Sequence, residues 1–290
     1  MFKVKNEIIF SATCLFLLVS SSSIATAEQT HHVPDEAIAN QRATLAKNTD
    51  GAGFGPQSPR DINSVDGSNS RIFGAAPAYT DMNLCNIHFH ESAEHKGGEF
   101  TEYAGNGDGH GYGTGYKYTG ELSEAELAPV GMKIGAGEHG DLEPGDTIEV
   151  HYVHTTAKVS PGPTLGSCLN DSIGNPQLRV ETQVYVLVND PAALDFVELT
   201  KLGVVNGLNQ AVNIPSNTGD PIQYEGSTTG PEYNEKSSPF QVSWSVRPKV
   251  AKVNIKTVDT WLKDNVFDED HAHGVRNLVE NKDLLSAIGN

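Results

Sequence analysis

The stretch Asn86-Ile87-His88-Phe89-His90 decides the fold, because its apolar and polar side chains alternate with the period of a β-strand. In a strand, residues i and i+2 point to the same face, roughly 6–7 Å apart along the backbone. We therefore expect His88 and His90 to project together from a sheet whose other face is apolar. Two imidazoles on one face can bind one metal ion, although such a pair in a strand also arises by chance.

A second strand-like stretch, EVHYVH at residues 149–154, supplies candidates for a third ligand. In a strand, Glu149 and His151 share one face and His154 faces the other way, so only one of these histidines should join the site. We expect it to be His151, because the Glu149 carboxylate can orient its ring, as carboxylates orient metal-bound histidines. Three histidines with an open fourth position are typical of a catalytic zinc site rather than a closed structural one.

The rest of the chain also favours β-structure, since runs rich in Val, Ile, Tyr and Thr recur between turn-forming clusters of its 29 Gly and 15 Pro. These runs predict strands over Asn86–His90, Thr147–His154, Leu178–Val188, Ala211–Ile214, Phe240–Val246 and Val250–Ile255. Short helices are predicted over Ser123–Ala128, Ala192–Leu199 and Val275–Ile288. Ser123 and Glu126 have the spacing of a capping box at the first of these. We expect a mainly β protein, an α+β fold with few short helices, in a single domain.

The N-terminus has the pattern of a secretory signal peptide, with a basic start, an apolar run over residues 8–19 and a small-x-small exit ending at Ala27. We expect residues 1–27 to be removed, which predicts a secreted or periplasmic protein. The apolar run is too short to span a membrane comfortably, and no second candidate follows it. Residues 28–50 are polar and predict a flexible segment before a folded domain over 51–290.

Composition also bears on partners. The net charge of −17 disfavours binding to nucleic acid or to anionic membranes. The glycine-rich stretch Gly105–Gly120 has no strict G-x-G-x-x-G motif and no surrounding βαβ unit, so it predicts a flexible surface insertion rather than a dinucleotide site.

The cysteines indicate a disulfide. Cys14 would leave with the signal peptide, and Cys85 and Cys168 remain. Two cysteines in an exported protein are usually paired. The alternative is two free thiols or two zinc ligands, although neither cysteine lies in a Cys-x-x-Cys motif.

Several motifs resemble those of α-type carbonic anhydrases. Asn86–His90 is similar to their first-ligand strand, polar-x-His-x-His, and Glu149–His154 is similar to their Glu-x-His-x-x-His strand. Glu94-His95 resembles their Glu-His pair, although here it follows the first two ligands more closely. Further similarities occur in family order, at Gly55–Pro59, Gly226–Pro231, Phe240–Trp244 and Arg276–Leu278.

The run HFHESAEHKGGEF at residues 88–100 and the placement of Cys85 and Cys168 look more like the δ class. The chain therefore resembles δ-class or δ-like carbonic anhydrases. This resemblance implies one large, twisted, mostly antiparallel β-sheet of the α-carbonic-anhydrase type, with residues 51–290 as the catalytic domain.

The resemblance also implies an activity. A carbonic anhydrase is a carbonate dehydratase, a lyase that reversibly hydrates carbon dioxide to bicarbonate and a proton by zinc-bound hydroxide. Its cofactor would be Zn2+, held by His88, His90 and His151, and its partners would be these small molecules.

Other residues receive roles by the same resemblance. Thr228 would accept a hydrogen bond from zinc-bound hydroxide and donate its own to Glu94, which orients the nucleophile toward the substrate. Thr229 would position bicarbonate. Asn86 and Glu149 would hold the first and third ligands from behind.

The proton released must still reach solvent. Many α enzymes use a histidine located before the first ligand strand, but none lies between Gly55 and His88. His95, His110 and His139 are alternative shuttles because free histidine titrates near neutrality. A chain without a shuttle is the remaining alternative.

Two other classes compete with the anhydrase. His88-x-His90-x-x-x-Glu94 fits the metal motif of cupins, which would bind iron or manganese through these residues and His151. A cupin gives no role to Gly55–Pro59 or Gly226–Pro231. The third possibility is a non-catalytic, exported zinc-binding module on the same scaffold.

Overall fold

The structure, a computed structural model, describes residues 32–289, and the expected signal peptide lies outside them. Nine strands follow one another along the described chain. They are β1 (Asn83–Glu91), β2 (Phe100–Tyr103), β3 (Tyr116–Tyr118), β4 (Thr147–Thr155), β5 (Leu178–Val188), β6 (Leu202–Val205), β7 (Leu208–Ala211), β8 (Ile222–Ser227) and β9 (Gln241–Asn254). The α-helices are α1 (Asp35–Thr49), α2 (Phe196–Leu199) and α3 (Ile255–Lys263). Short 3₁₀ turns occur at Tyr79–Asp81, Leu165–Cys168, Pro231–Tyr233 and Lys282–Leu284.

Five of the strands form one sheet in the order β1-β4-β5-β9-β8. The β5–β9 pair is parallel and the other three pairs are antiparallel, which confirms the expected large, mostly antiparallel sheet. In the β1–β4 register His88 lies opposite His151, and His90 lies opposite Glu149. Pairing of the two strands therefore brings the two sequence motifs side by side.

Each face of this sheet covers its own apolar core. One core places Ile87 and Phe89 of β1 against Phe196 of α2 and Trp261 of α3. The other core lies on the opposite face and includes Trp244 of β9. The strand alternation of β1 therefore buries its apolar side chains under the helices and leaves its histidines on the other face.

The predicted helices were mostly wrong. Ser123–Ala128 forms turns, although its capping box is present, with the Ser123 backbone N–H donating to Glu126 at 2.8 Å. Only Phe196–Leu199 of the second prediction is helical, and the third contains just one 3₁₀ turn, Lys282–Leu284.

Helix formation instead occurs in two places that the pattern did not predict. The segment over 28–50, expected to be flexible, contains α1, whose Ile38 and Leu45 are buried. Its polar side chains bind loops of the domain, since Gln41 Nε2 donates to the Gly109 carbonyl at 3.0 Å. Helix α3 follows β9 without a break and is capped by the Asn254 side chain, which accepts from the Lys256 backbone N–H.

Two details complete the architecture. The predicted strands Phe240–Val246 and Val250–Ile255 are parts of the single strand β9, which bends through an irregular register opposite β5. The sulfur atoms of Cys85 and Cys168 are joined in a disulfide. Within residues 32–289, no helix has the length and apolar character needed to cross a membrane.

Candidate metal centre

Three histidine rings converge on the polar face of the sheet. One ring nitrogen from each of His88, His90 and His151 lies within 4.8 Å of the others, and His88 Nε2 is 3.2 Å from His151 Nδ1. Strand alternation in β1 places the first two on one face, and the β1–β4 register places the third beside them. The arrangement has the spacing of a three-histidine metal site.

A separate acceptor binds the outward nitrogen of each ring. His88 Nδ1 donates to Asn86 Oδ1 at 2.6 Å, and His151 Nε2 donates to Glu149 Oε1 at 2.7 Å. His90 Nδ1 donates to the backbone carbonyl of Gly274 at 2.9 Å. These bonds fix each tautomer, so that the remaining nitrogen of every ring carries a lone pair toward one common point.

The environment of the rings suits a cation. His90 Nε2 is buried, and no described residue supplies it with a hydrogen-bond partner. Burial lowers the pKa of His90 to about 4, and burial together with the neighbouring histidines lowers the pKa of His88 and His151 as well. The rings are therefore neutral at pH 7, which is the form that binds a metal ion.

Glu149 is the centre of a buried hydrogen-bond network behind His151. Its Oε1 also accepts from His95 Nδ1 at 2.7 Å, and its Oε2 accepts from the His95 backbone N–H at 3.0 Å. Burial alone would raise the pKa of Glu149, but the charge of His95 and the hydrogen bonds from both rings outweigh it and hold the pKa well below the usual range. The carboxylate stays ionised and can bind His151 as an acceptor.

His95 is unsuited to the shuttle role considered above. Its side chain is fully buried, and its Nε2 is 2.6 Å from the hydroxyl of Tyr224 while its Nδ1 binds Glu149. A ring with both nitrogens engaged and no contact with solvent serves to orient Glu149.

Glu94 and Thr228 line the same cavity as the histidines. The Glu94 Oε1 atom accepts from the Arg276 backbone N–H at 2.8 Å and lies 4.0 Å from His90 Nδ1. Burial raises the pKa of Glu94. Within residues 32–289 no hydrogen bond joins the Thr228 side chain to Glu94, and Thr229 Oγ1 is buried without a partner. Glu94 is also outside the group of converging ligand atoms in this part of the chain.

The cavity has a volume of about 540 Å³ and opens beside the three histidines. Several of its lining residues were not predicted from the sequence, namely Tyr112, Leu165, Glu269, His273 and Gly274. The glycine-rich stretch, expected as a flexible surface insertion, reaches this cavity through Tyr112. Its Gly111 has φ +108, and a Cβ there would lie 2.7 Å from the Val275 carbonyl oxygen, so a glycine is required at this contact.

The remaining histidines divide by their access to the cavity. His110 is exposed and His139 stacks on the Tyr112 ring, with centroids 3.5 Å apart, and neither lines the cavity. His273 does line it, with its ring centroid 5.6 Å from that of His88. Burial alone would lower the pKa of His273, but the hydrogen bond to Glu269 raises it.

The sequence itself identifies the family. The pattern of delta carbonic anhydrases matches residues 79–257, which include all three converging histidines and Thr228. The chain belongs to the delta carbonic anhydrase family. This result confirms the class inferred from the histidine-rich run and the two cysteines. No curated protein matches the chain.

Solved carbonic anhydrases are similar to the chain at low identity. The α-carbonic anhydrase of Photobacterium profundum is 16% identical over 85% of this chain and 95% of its own, with a TM-score of 0.28. The α-carbonic anhydrase of Thermovibrio ammonificans, in complex with the inhibitor sulfanilamide, is 17% identical over 77% and 84%, with a TM-score of 0.26. A hyperthermostable carbonic anhydrase from an active hydrothermal vent chimney is 14% identical over 80% and 87%, with a TM-score of 0.28. At these scores the family assignment rests on the sequence pattern.

Proposed function

We propose that this delta carbonic anhydrase is a zinc lyase that reversibly hydrates carbon dioxide to bicarbonate and a proton. The observation that carries the proposal is the convergence of three neutral imidazoles, two of them buried and His88 half-buried, each with its other nitrogen already bound to an acceptor. Three neutral ligands leave the full charge of the metal ion uncompensated. Bound there, Zn2+ would lower the pKa of a water molecule toward about 7 and so supply the nucleophile at neutral pH.

The residues around the proposed metal ion have two roles, to bind the ion and to orient the binding rings. His88, His90 and His151 hold the metal, while Asn86 and Glu149 keep the first and third rings oriented. Because these hydrogen bonds fix the two rings in place, less rotational freedom has to be lost when the metal ion binds.

The far side of the cavity orients the reactants. The Thr228 hydroxyl would accept a hydrogen bond from the zinc-bound nucleophile and donate a hydrogen bond to the Glu94 carboxylate, and Thr229 would position bicarbonate. Glu94 is already held in place, because its Oε1 accepts from the Arg276 backbone N–H at 2.8 Å.

The site of action would be outside the cytoplasm. Residues 1–27 have the pattern of a signal peptide, and the Cys85–Cys168 disulfide is typical of oxidising compartments. We therefore propose that the mature protein is secreted or periplasmic.

The decisive experiment is a stopped-flow, pH-indicator assay of carbon dioxide hydration on the purified chain, with zinc content measured by mass spectrometry. We expect about one zinc per chain, saturable hydration, and inhibition by a sulfonamide. Chelator-treated protein should be inactive and should recover when zinc is added. A zinc-loaded chain that hydrates carbon dioxide no faster than buffer would refute the enzyme and leave a zinc-binding module. Bound iron that is lost in Glu94→Gln would favour the cupin chemistry.

A further inference from the structure

One wall of the metal cavity is a loop that the disulfide anchors. The segment 161–168, called here the tethered loop, ends at Cys168, and its residues Thr164, Leu165 and Gly166 line the cavity. Cys168 is bonded to Cys85, three residues before His88 on strand β1. Both cysteines are fully buried. The cross-link therefore joins the cavity wall directly to the strand that carries two of the metal ligands.

Hydrogen bonds at the start of the tethered loop continue this connection to a metal ligand. The Gly162 backbone N–H donates to the Cys85 carbonyl at 3.0 Å, and the Gly162 carbonyl accepts from Asn86 Nδ2 at 3.1 Å. The other end of that amide, Asn86 Oδ1, accepts from His88 Nδ1 at 2.6 Å. Asn86 is almost fully buried, so Gly162 fixes which way the amide points. A displaced loop would leave the amide free to turn away from His88.

The middle of the tethered loop supplies apolar surface. Among the described residues that line the cavity, Leu165 has the single branched aliphatic side chain. The preceding Thr164 holds the loop in shape, since its backbone has φ +56 and its Oγ1 accepts from the Gly166 N–H at 3.2 Å. Carbon dioxide carries no net charge and no dipole, so it is attracted to apolar surface rather than to hydrogen-bonding groups.

We propose that the Cys85–Cys168 disulfide is a positioning element of the active site. It holds the tethered loop so that Gly162 keeps Asn86 behind His88 and so that Leu165 contacts carbon dioxide beside the metal. This inference rests on the proposed function for the role of Leu165. Its other half, the hold on His88, concerns metal binding alone.

Two leucines of the same segment provide the first test. Leu165 faces the metal cavity, whereas Leu169, just after the cross-link, lines a separate groove. We expect Leu165→Ala to lower kcat/KM for carbon dioxide about tenfold, mainly through a higher KM and with full zinc content. Leu169→Ala should match wild type, and Leu165→Met should recover most of the loss. An unchanged Leu165→Ala, or an equal loss in both alanine variants, would overturn the contact with substrate.

A double-mutant cycle tests the hold on His88. Cobalt(II) is the probe, because its affinity and visible spectrum report the ligand geometry without any turnover. We expect the Cys85→Ala/Cys168→Ala double variant and Asn86→Ala each to weaken cobalt affinity about 10- to 100-fold. If the disulfide acts through Asn86, adding Asn86→Ala to the cysteine variant should cost little more. Fully additive losses, or a cysteine variant with wild-type affinity, would contradict the proposal.

A loss of folding and a loss of function can be distinguished by separate measurements on the same variants. Far-ultraviolet circular dichroism of the cysteine variant should match wild type, and a loss of structure would show that the bond stabilises the whole domain instead. A wild-type chain that binds cobalt but does not hydrate carbon dioxide would refute the proposed function. The double-mutant cycle would still decide whether the disulfide holds His88.

Discussion

Strand β4 carries two histidines, His151 and His154, that are equally buried and have different surroundings. The ring of His151 faces His88 and His90 and binds Glu149. The ring of His154 lies on the other side of the sheet, where its Nδ1 donates to the Tyr152 carbonyl at 2.9 Å and its ring packs against Tyr79. Burial and residue type are the same, so the face of the strand and the acceptors behind the ring decide which histidine can bind a metal.

The unused nitrogens of the two rings sharpen this contrast. His151 Nδ1 faces another imidazole nitrogen at 3.2 Å, a distance that two lone pairs tolerate only with a cation or proton between them. His154 Nε2 is buried with no partner among the described residues, and His154 belongs to no group of three converging ligand residues in this part of the chain. Convergence is therefore a better indicator of a metal ligand than the absence of a hydrogen bond.

The largest expected effect comes from removing one of the three converging rings, in contrast with removal of His154 on the other face. His151→Ala should lose the zinc ion and lower hydration by about 1,000-fold or more, because the metal ion that would activate water is then missing. His88→Ala and His90→Ala should behave in the same way. His154→Ala should keep both zinc and turnover and lose stability only. Zinc content and stopped-flow hydration measured on each variant would show the opposite pattern if the ligand lies on the other face.

A second prediction separates ligands from other polar groups on the His151 side. Thr228→Ala and Glu94→Gln should keep a full complement of zinc and lower kcat about 100-fold, since in the proposed mechanism both side chains would orient the nucleophile. Substitution of a ligand, in contrast, removes metal and turnover together. The readouts are kcat and zinc content. Loss of metal in Glu94→Gln would show that this carboxylate is a ligand and would revive the cupin alternative.

The third prediction concerns the acceptor behind His151. Glu149→Gln should weaken zinc affinity about 10- to 100-fold, because the amide cannot bind the His151 and His95 rings with an ionised oxygen. Glu181→Gln is a matched control, since Glu181 is a buried carboxylate on the neighbouring strand β5, opposite Tyr152. Competition with a fluorescent zinc chelator gives both affinities. Equal losses in the two variants would mean that Glu149 contributes only to the stability of the sheet.

How far the sequence predicted this site depends on the range of each interaction. Strand alternation places His151 and His154 on opposite faces of β4, and the Glu149 carboxylate beside His151 then favours that ring without coordinates. The register that sets His88 opposite His151 depends on pairing across the sheet. The Gly274 carbonyl that orients His90 belongs to the backbone, so no residue type marks it.

The errors in the fold have a similar cause. Val275–Ile288 has the apolar spacing of a helix because Val279, Leu284 and Leu285 pack against Leu45 of α1, a contact from the far end of the chain. Helix α3 did carry a local signal, because Asn254 is a favourable N-cap. The strand predicted over 250–255 included this cap and the first residue of the helix, so the helix was missed.

The last prediction uses pH to distinguish the two faces. Burial lowers the pKa of His154 to about 3, well below its value of about 6.5 in an unfolded chain. As pH falls below about 6.5, His154 therefore binds a proton in the unfolded state but stays neutral in the folded state. The stability tied to neutral His154 is fully present above that pH and is lost progressively down to about pH 3.

Between pH 7 and pH 5 this loss amounts to about 2 kcal/mol of unfolding free energy. His154→Phe keeps the contact with Tyr79 and removes the titrating group. At pH 7 it should change stability by about 1 kcal/mol or less, because the lost bond to the Tyr152 carbonyl is offset by removal of the unpartnered Nε2. Urea unfolding at both pH values should show that the variant loses about 2 kcal/mol less than wild type. The zinc-dependent part of the pH response is common to both proteins and cancels in that difference, so equal pH slopes would mean that His154 already accepts a proton in the folded state.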